Sequence, residues 1–309
     1  MDGWHGRIDD PADPLAFRLH QVIRPIDQAT SPGVALLGFA SDEGVRRNGG
    51  RPGAALGPGA LRRCLSNLPA PQSQAVYDAG DIDCTDGDLE GAQLRFARCI
   101  TGLLDAGHFP LGMGGGHEIG FASYLGLAGS AGPGRIAIVN LDAHLDLRDA
   151  PVANSGTPFL QALRHAQAHG VQLDYFCLGA SASSNTQRLF RTAQETGSRY
   201  LHDDEMTASR LDANIERLLE WLAPADSIYL TICLDVLPAT VAAGVSAPSA
   251  RGVPLEVVEP VIAAIRNTGR LKLADIAELS PPLDRDDATA RVAARLIHRL
   301  IAQPVPSRR

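Results

Sequence analysis

Two stretches of the sequence gather residue types able to hold a divalent cation: IVNLDAHLD over 138–146 and YLTICLD over 229–235. Each is an apolar run ending in carboxylates or imidazole, the pattern of a buried parallel strand whose carboxyl end opens onto a polar site. Extended backbone places residues i, i+2 and i+4 on one face, so Asp142, His144 and Asp146 are predicted to point one way, and Cys233 and Asp235 likewise. His117 follows the glycine run GMGGG, whose freedom would let the backbone turn sharply and present the imidazole. Carboxylates gathered at one point repel each other and lose hydration, and a divalent cation is the simplest partner that holds them together. The chemistry implied is that of a metal-dependent hydrolase. Two cations about 3.5–4 Å apart could acidify a shared water near neutral pH, with Asp142, between the two groups, as the bridge. Glu278 ends another apolar strand, LKLADIAE, and would face the same mouth as a free carboxylate suited to holding a cationic amidine or guanidine carbon.

These residues need a frame that brings distant strand ends together. VALLGF at 34–39, FPLGM at 109–113, LDYFCLG at 173–179 and LKLADIAE read as further strands. Between them lie helices: one through LRRCLSNL with Pro58 in its first turn, an amphipathic one from Leu89 ended by Gly107, then FASYLGLAG, a segment through Gln167, SNTQRLFRTAQE, LEVVEPVIAAIRN and ATARVAARLIHRLI. This alternation predicts an α/β fold, a three-layer α/β/α sandwich with a mainly parallel sheet. The motifs GGGHE, DAHLD, LDVLP and DIAELSP all fall at expected carboxyl ends of strands, the side on which open parallel sheets build their sites. Without a strong linker or internal repeat, residues 1–309 are expected to form one unit, with 1–32 as a lead-in arm.

Composition excludes other classes. A hydrophobic fraction of 45% with 20% charged residues is globular. No apolar run approaches bilayer length and the first residues lack a signal pattern, so the expected location is the cytoplasm, with no membrane partner. The five cysteines, Cys64, Cys84, Cys99, Cys177 and Cys233, form no CxxC pair, which predicts reduced thiols rather than a disulfide framework. A net charge of −7 argues against nucleic acid and leaves a small molecule as the expected partner. The run GMGGGHEIG has neither GxGxxG spacing nor a Walker lysine, so it is not read as a nucleotide cradle.

Taken in order, GFASDEGVRRNGGRPGAALGPGALRR, GGGHE, DAHLDLR, SGTPF, CLGASASSNT, LDVLPATVAAGVSAPSARG and DIAELSPPLDRDDATARVAARL resemble the ureohydrolase family, which includes arginases and agmatinases. Within it, the chain is most similar to the branch that hydrolyses N-formimidoyl-L-glutamate to L-glutamate and formamide. The resemblance implies two Mn2+ ions per chain and a homo-oligomer. By position, His117 and Asp146 would bind one ion, His144 and Asp235 the other, and Asp142 both. The family's second bridging aspartate falls at Cys233 here. That thiol is either a second bridge, which would favour a softer divalent metal, or a structural thiol that leaves a single-metal or binding protein. Ser155 stands where arginases carry a histidine. A glutamate substrate needs a guanidinium for its carboxylate, and the candidates are Arg148 first, then Arg46, Arg47 and Arg51, with Asn154 as a polar helper. Another amidine or guanidino substrate, such as agmatine, is the remaining alternative.

Overall fold

The computed structural model describes residues 3–301. Nine strands form one sheet: β1 (Arg24–Pro25), β2 (Val34–Ala40), β3 (Val76–Asp83), β4 (Phe109–Met113), β5 (Ile136–Leu141), β6 (Leu173–Ala180), β7 (Arg199–His202), β8 (Ser227–Cys233) and β9 (Leu271–Ala277). Their order is β1-β3-β2-β4-β9-β8-β5-β6-β7, and every pairing is parallel. The central strands β5 and β8 are buried at every residue, as a sheet covered on both faces requires. Two apolar clusters flank the sheet. One packs the helices Gly57–Ser66, Leu255–Asn267 and Ala288–Ile301 against it, and the other packs Leu89–Asp105, Ile119–Ala128 and Pro158–His169. The expected three-layer α/β/α arrangement is borne out. Among the described residues no helix is long and apolar enough to cross a membrane.

Several elements depart from the sequence reading. The strands at the two margins of the sheet, the edge strands β1 and β7 and β3 next to β1, carry no strong apolar run; in β3 only the first three residues are buried. The helix Leu211–Leu222 is a further element outside that reading. The lead-in arm is not merely a surface segment. Trp4, Leu19 and Ile23 join the core, and Arg24–Pro25 adds a strand to the sheet edge. Most consequential for the site, β5 stops at Leu141 and β8 at Cys233. Asp142, His144 and Asp146 therefore lie on a loop, and Asp235 lies in the 3-10 turn Leu234–Val236. Strand alternation does not align these side chains; loop geometry does.

Candidate metal centre

The switch in strand order between β4, β9, β8 and β5 brings three chain-distant loops to one mouth at the carboxyl ends of the sheet. The loop after β4 carries His117. Its glycines do not supply a left-handed turn, since none of Gly114, Gly115 and Gly116 has positive φ. They are needed for close approach. Gly115 N–H donates to the Phe39 carbonyl at 2.7 Å and Gly116 N–H to that of Ser41 at 2.9 Å, and a Cβ on Gly115 would lie 1.7 Å from the Ser41 oxygen. The loop is thus clamped between β2 and β9.

The loop after β5 is held by its own hydrogen bonds. Asp142 N–H donates to the Leu178 carbonyl and His144 N–H to Asp142 Oδ1 at 2.7 Å, while Asn185 binds Leu145 N–H and the Ala143 carbonyl. The Cys177 thiol points at the carbonyls of Asp142 and His144 from behind. Asp146 takes φ 48° and Glu278 φ 73°, left-handed conformations that cost of order 1–3 kcal/mol each for non-glycine residues. Such strain clusters at functional sites, and both residues face the mouth.

Two groups of ligand atoms converge there. His117, Asp142 and Cys233 present Nδ1 or Nε2, a carboxylate oxygen and Sγ within 4.8 Å of one another, and Asp142, His144 and Asp235 do the same. Asp142 belongs to both. His117 Nδ1 lies 2.9 Å from Asp142 Oδ2 and 2.9 Å from Asp146 Oδ2, yet makes no aligned hydrogen bond. His144 Nδ1 sits 3.1 Å from Asp235 Oδ2 and 3.5 Å from Asp142 Oδ1. The His117 ring nitrogen, facing two carboxylates without an aligned hydrogen bond, suits a place beside a cation. The donor set of imidazole, carboxylate and one thiol fits a divalent metal. Cys233 is thus placed at the cluster rather than in the apolar interior.

The electrostatics agree. Burial opposes the charged form of His117, but Asp142 and Asp146 overcome it and raise its pKa well above normal; the same contest pushes His144 up to about 12. Asp142, facing both imidazoles, is held low despite its burial. Burial and the Asp142 charge raise Asp146, and push Asp235 up to about 6. Burial and the surrounding carboxylates drive the Cys233 thiol well up. Glu278 is pushed up to about 8 by burial and the charges of Asp235 and Glu118.

A cavity of about 390 Å³ opens onto this cluster. Its lining includes His117, His144, Asp146, Cys233, Asp235 and Glu278 on the metal side, and Asn48, Arg51, Arg148, Ser155 and Ser246 around the mouth. Glu278 Oε1 accepts the His117 N–H at 2.9 Å. Ser155 Oγ accepts from Asn48 Nδ2 at 3.1 Å, and Arg148 lies along Gly156. The other nominated residues are elsewhere. Arg46 is paired with Glu43 on the surface, and Arg47 is shared among Glu43, Glu90 and two carbonyls. Asn154 is a turn former whose Oδ1 accepts the Gly156 N–H. Arg51 lines the cavity but spends its guanidinium on the Val245 and Ser246 carbonyls. Asn48 and Ser246 escape a reading of the sequence because loop residues of these types carry no pattern of their own. A larger groove of about 470 Å³ beside Leu160 and Leu163 is spanned by Arg164–Asp149 and Arg188–Glu195 ion pairs and offers no comparable cluster.

Comparison with known proteins agrees with this geometry. A formimidoylglutamase from Ralstonia nicotianae is 50% identical over 310 residues, spanning 98% of this chain and 95% of that protein. One from Aeromonas hydrophila is 51% identical over 305 residues, 97% of each. The formiminoglutamase of Trypanosoma cruzi, solved with Mn2+, superposes with a TM-score of 0.79 at 25% identity, covering 89% of this chain and 95% of that one. The Bacillus subtilis formimidoylglutamase shares the fold with a TM-score of 0.82 at 24% identity, over 92% and 91% of the two chains. The arginase family model matches residues 32–302, so the strand-end carboxylates, the clamped GGGHE loop and the shared Asp142 sit in a frame with a known kinship: the chain belongs to the arginase family.

Proposed function

We propose that this protein hydrolyses N-formimidoyl-L-glutamate to L-glutamate and formamide, with two Mn2+ ions at the strand-end cluster. The observation that carries the reading is the composition of one cavity. Carboxylates and imidazoles converge at its floor, Glu278 stands beside them, and Arg148 has no ion pair or side-chain hydrogen bond among the described residues. Relatives about half identical over nearly the whole chain bear the name of that activity.

A bound divalent pair supplies Lewis acidity and lowers the pKa of a water to near neutrality. His117 and Asp146 would hold one ion and His144 and Asp235 the other, with Asp142 contributing to both and Cys233 beside the first. The chain's other residues bind and orient the substrate. Glu278, fixed by the His117 N–H and by its own N–H to the Gly115 carbonyl, faces the formimidoyl group and pairs with its cationic nitrogen. The same carboxyl, whose pKa burial raises, is placed to return a proton to the departing nitrogen. Arg148 receives a glutamate carboxylate, with Asn48 and Ser155 as polar neighbours.

Initial rates with N-formimidoyl-L-glutamate, agmatine and L-arginine on the Mn2+-loaded protein test this directly. The formimidoyl substrate is expected to exceed the others in kcat/KM by at least about a hundredfold; preference for agmatine would refute the assignment. Cys233 favours one second reading: as a buried neutral thiol it would leave the centre short of a carboxylate, with a single ion per chain.

A further inference from the structure

Behind the metal-facing side of the cavity lies a second buried carboxylate outside the ligand set. Asp275, in the middle of β9, is wholly buried and meets no lysine or arginine among the described residues. Its Oδ2 accepts hydrogen bonds from Ser123 Oγ and Tyr229 Oη, both at 2.5 Å, while Oδ1 takes no bond from any described group. Buried carboxylates are costly unless something favours their charge. In the β8–β9 register the partner of Asp275 is Thr231. The Thr231 Oγ1 lies 3.0 Å from His117 Nε2. His117 is held from a third direction by Phe159, whose ring meets the imidazole edge-on at 5.3 Å.

Donor bookkeeping along this line favours one arrangement. His117 Nδ1 faces Asp142 and Asp146, so for it to bind a metal that nitrogen must be bare and the ring proton must sit on Nε2. Nε2–H then needs an acceptor, and Thr231 Oγ1 is the atom within reach. A hydroxyl that accepts still has its own proton to place, and across the sheet stands a carboxylate with an open lone pair. Burial raises the Asp275 pKa, and the hydroxyls of Ser123, Thr231 and Tyr229 oppose that rise. With Ser123 and Tyr229 donating to Oδ2, the ionised Asp275 has Oδ1 open to accept from Thr231.

We propose that Asp275, acting through Thr231, is a positioning residue for the metal centre: it orders the chain His117 Nε2–H to Thr231 to Asp275 and so fixes the imidazole with Nδ1 bare toward Asp142 and Asp146. This is a carboxylate–histidine–metal arrangement lengthened by one hydroxyl. The inference rests on the metal-centre reading above but is independent of which amidine is hydrolysed.

The test is calorimetric titration of Mn2+ into the metal-free full chain and its variants, alongside thermal melts without metal. Thr231→Val keeps the shape and removes the relay, and is expected to weaken Mn2+ binding about 10- to 100-fold. Thr231→Ser keeps the hydroxyl and is expected to bind within about threefold of the parent. Asp275→Asn should also weaken binding, yet cost less than about twofold more when added to Thr231→Val, because both act on one line. Should Thr231→Val fail to fold, Thr231→Ala takes its place in the same comparison. Thr231→Val binding as the parent does, or losses that multiply in the double variant, would overturn the relay while leaving the centre intact. Failure of the parent itself to bind Mn2+ would overturn the metal reading and the relay with it.

Discussion

Two buried carboxylate clusters in this molecule solve the same physical problem in opposite ways. At the sheet edge, Asp78 is met by Arg62 through two bonds of 2.9 Å, by Trp4 Nε1 at 2.6 Å and by Gly80 N–H at 2.9 Å. Both carboxylate oxygens have donors, a guanidinium balances the charge, and despite burial the Asp78 pKa is lowered. At the strand ends, Asp142, Asp146, Asp235 and Glu278 gather around two imidazoles, no arginine among the described residues bonds to any of them, and three of the four are raised. A self-balanced cluster stabilises the fold; a cluster with surplus negative charge is built to receive a cation from outside. Burial is common to both, so burial alone does not mark a site. The missing counter-charge does.

The sharpest way to break this comparison is to remove a shared ligand. Asp142→Ala deletes the one carboxylate common to both ligand groups and is expected to lower kcat/KM by at least about a thousandfold, roughly 4 kcal/mol, with a fold intact by circular dichroism. A change at the balanced cluster should do the reverse. Arg62→Met leaves Asp78 buried and unpaired, which should cost about 3–5 kcal/mol of stability in urea melts while KM stays unchanged. The sign of its pH dependence follows from the lowered Asp78 pKa. The stability this pair contributes is present above the unfolded-state carboxylate pKa of about 3.9 and is lost as pH falls through the lower folded value. The gap between parent and Asp78→Asn in melts should therefore stay constant from pH 7 to about pH 5 and narrow only below about pH 4. At the cavity mouth, Arg148→Ala should raise KM about 10- to 100-fold with kcat within a few-fold, as expected of a charge-assisted contact to a substrate carboxylate. The smallest effect belongs to Arg46→Ala. Its exposed pair with Glu43 is screened by solvent, and neither urea melts nor steady-state kinetics should detect its loss.

The residue types of the site are legible in the sequence because they sit where apolar runs end. DAHLD, GGGHE and LDV each announce a polar turn after a buried strand, and parallel alternation sends those ends to one side. The means of alignment is not legible there. The strand period suggests one face for Asp142, His144 and Asp146, whereas β5 ends first and the side chains are aimed by Asn185, by the Leu178 carbonyl and by the positive φ of Asp146. Nothing in an aspartate or glutamate letter signals a left-handed backbone at Asp146 or Glu278. The GGGHE glycines, expected to supply a turn, instead supply room, because the Ser41 carbonyl that forbids a Cβ arrives from a loop far earlier in the chain. The outer strands β3 and β7 stay hidden for the converse reason: with little apolar area to bury they look like polar loop. Thr231 and Asp275 read simply as polar residues within strands, and only the register of β8 against β9 makes them neighbours.

The most direct measurement is metal content per chain, by plasma mass spectrometry after incubation with Mn2+ and removal of the excess. The surplus-charge cluster with Cys233 among its ligand atoms is expected to retain about two equivalents. Retention of one would show that the thiol does not replace a bridging carboxylate, and retention of none would contradict the reading of the cluster as a metal centre.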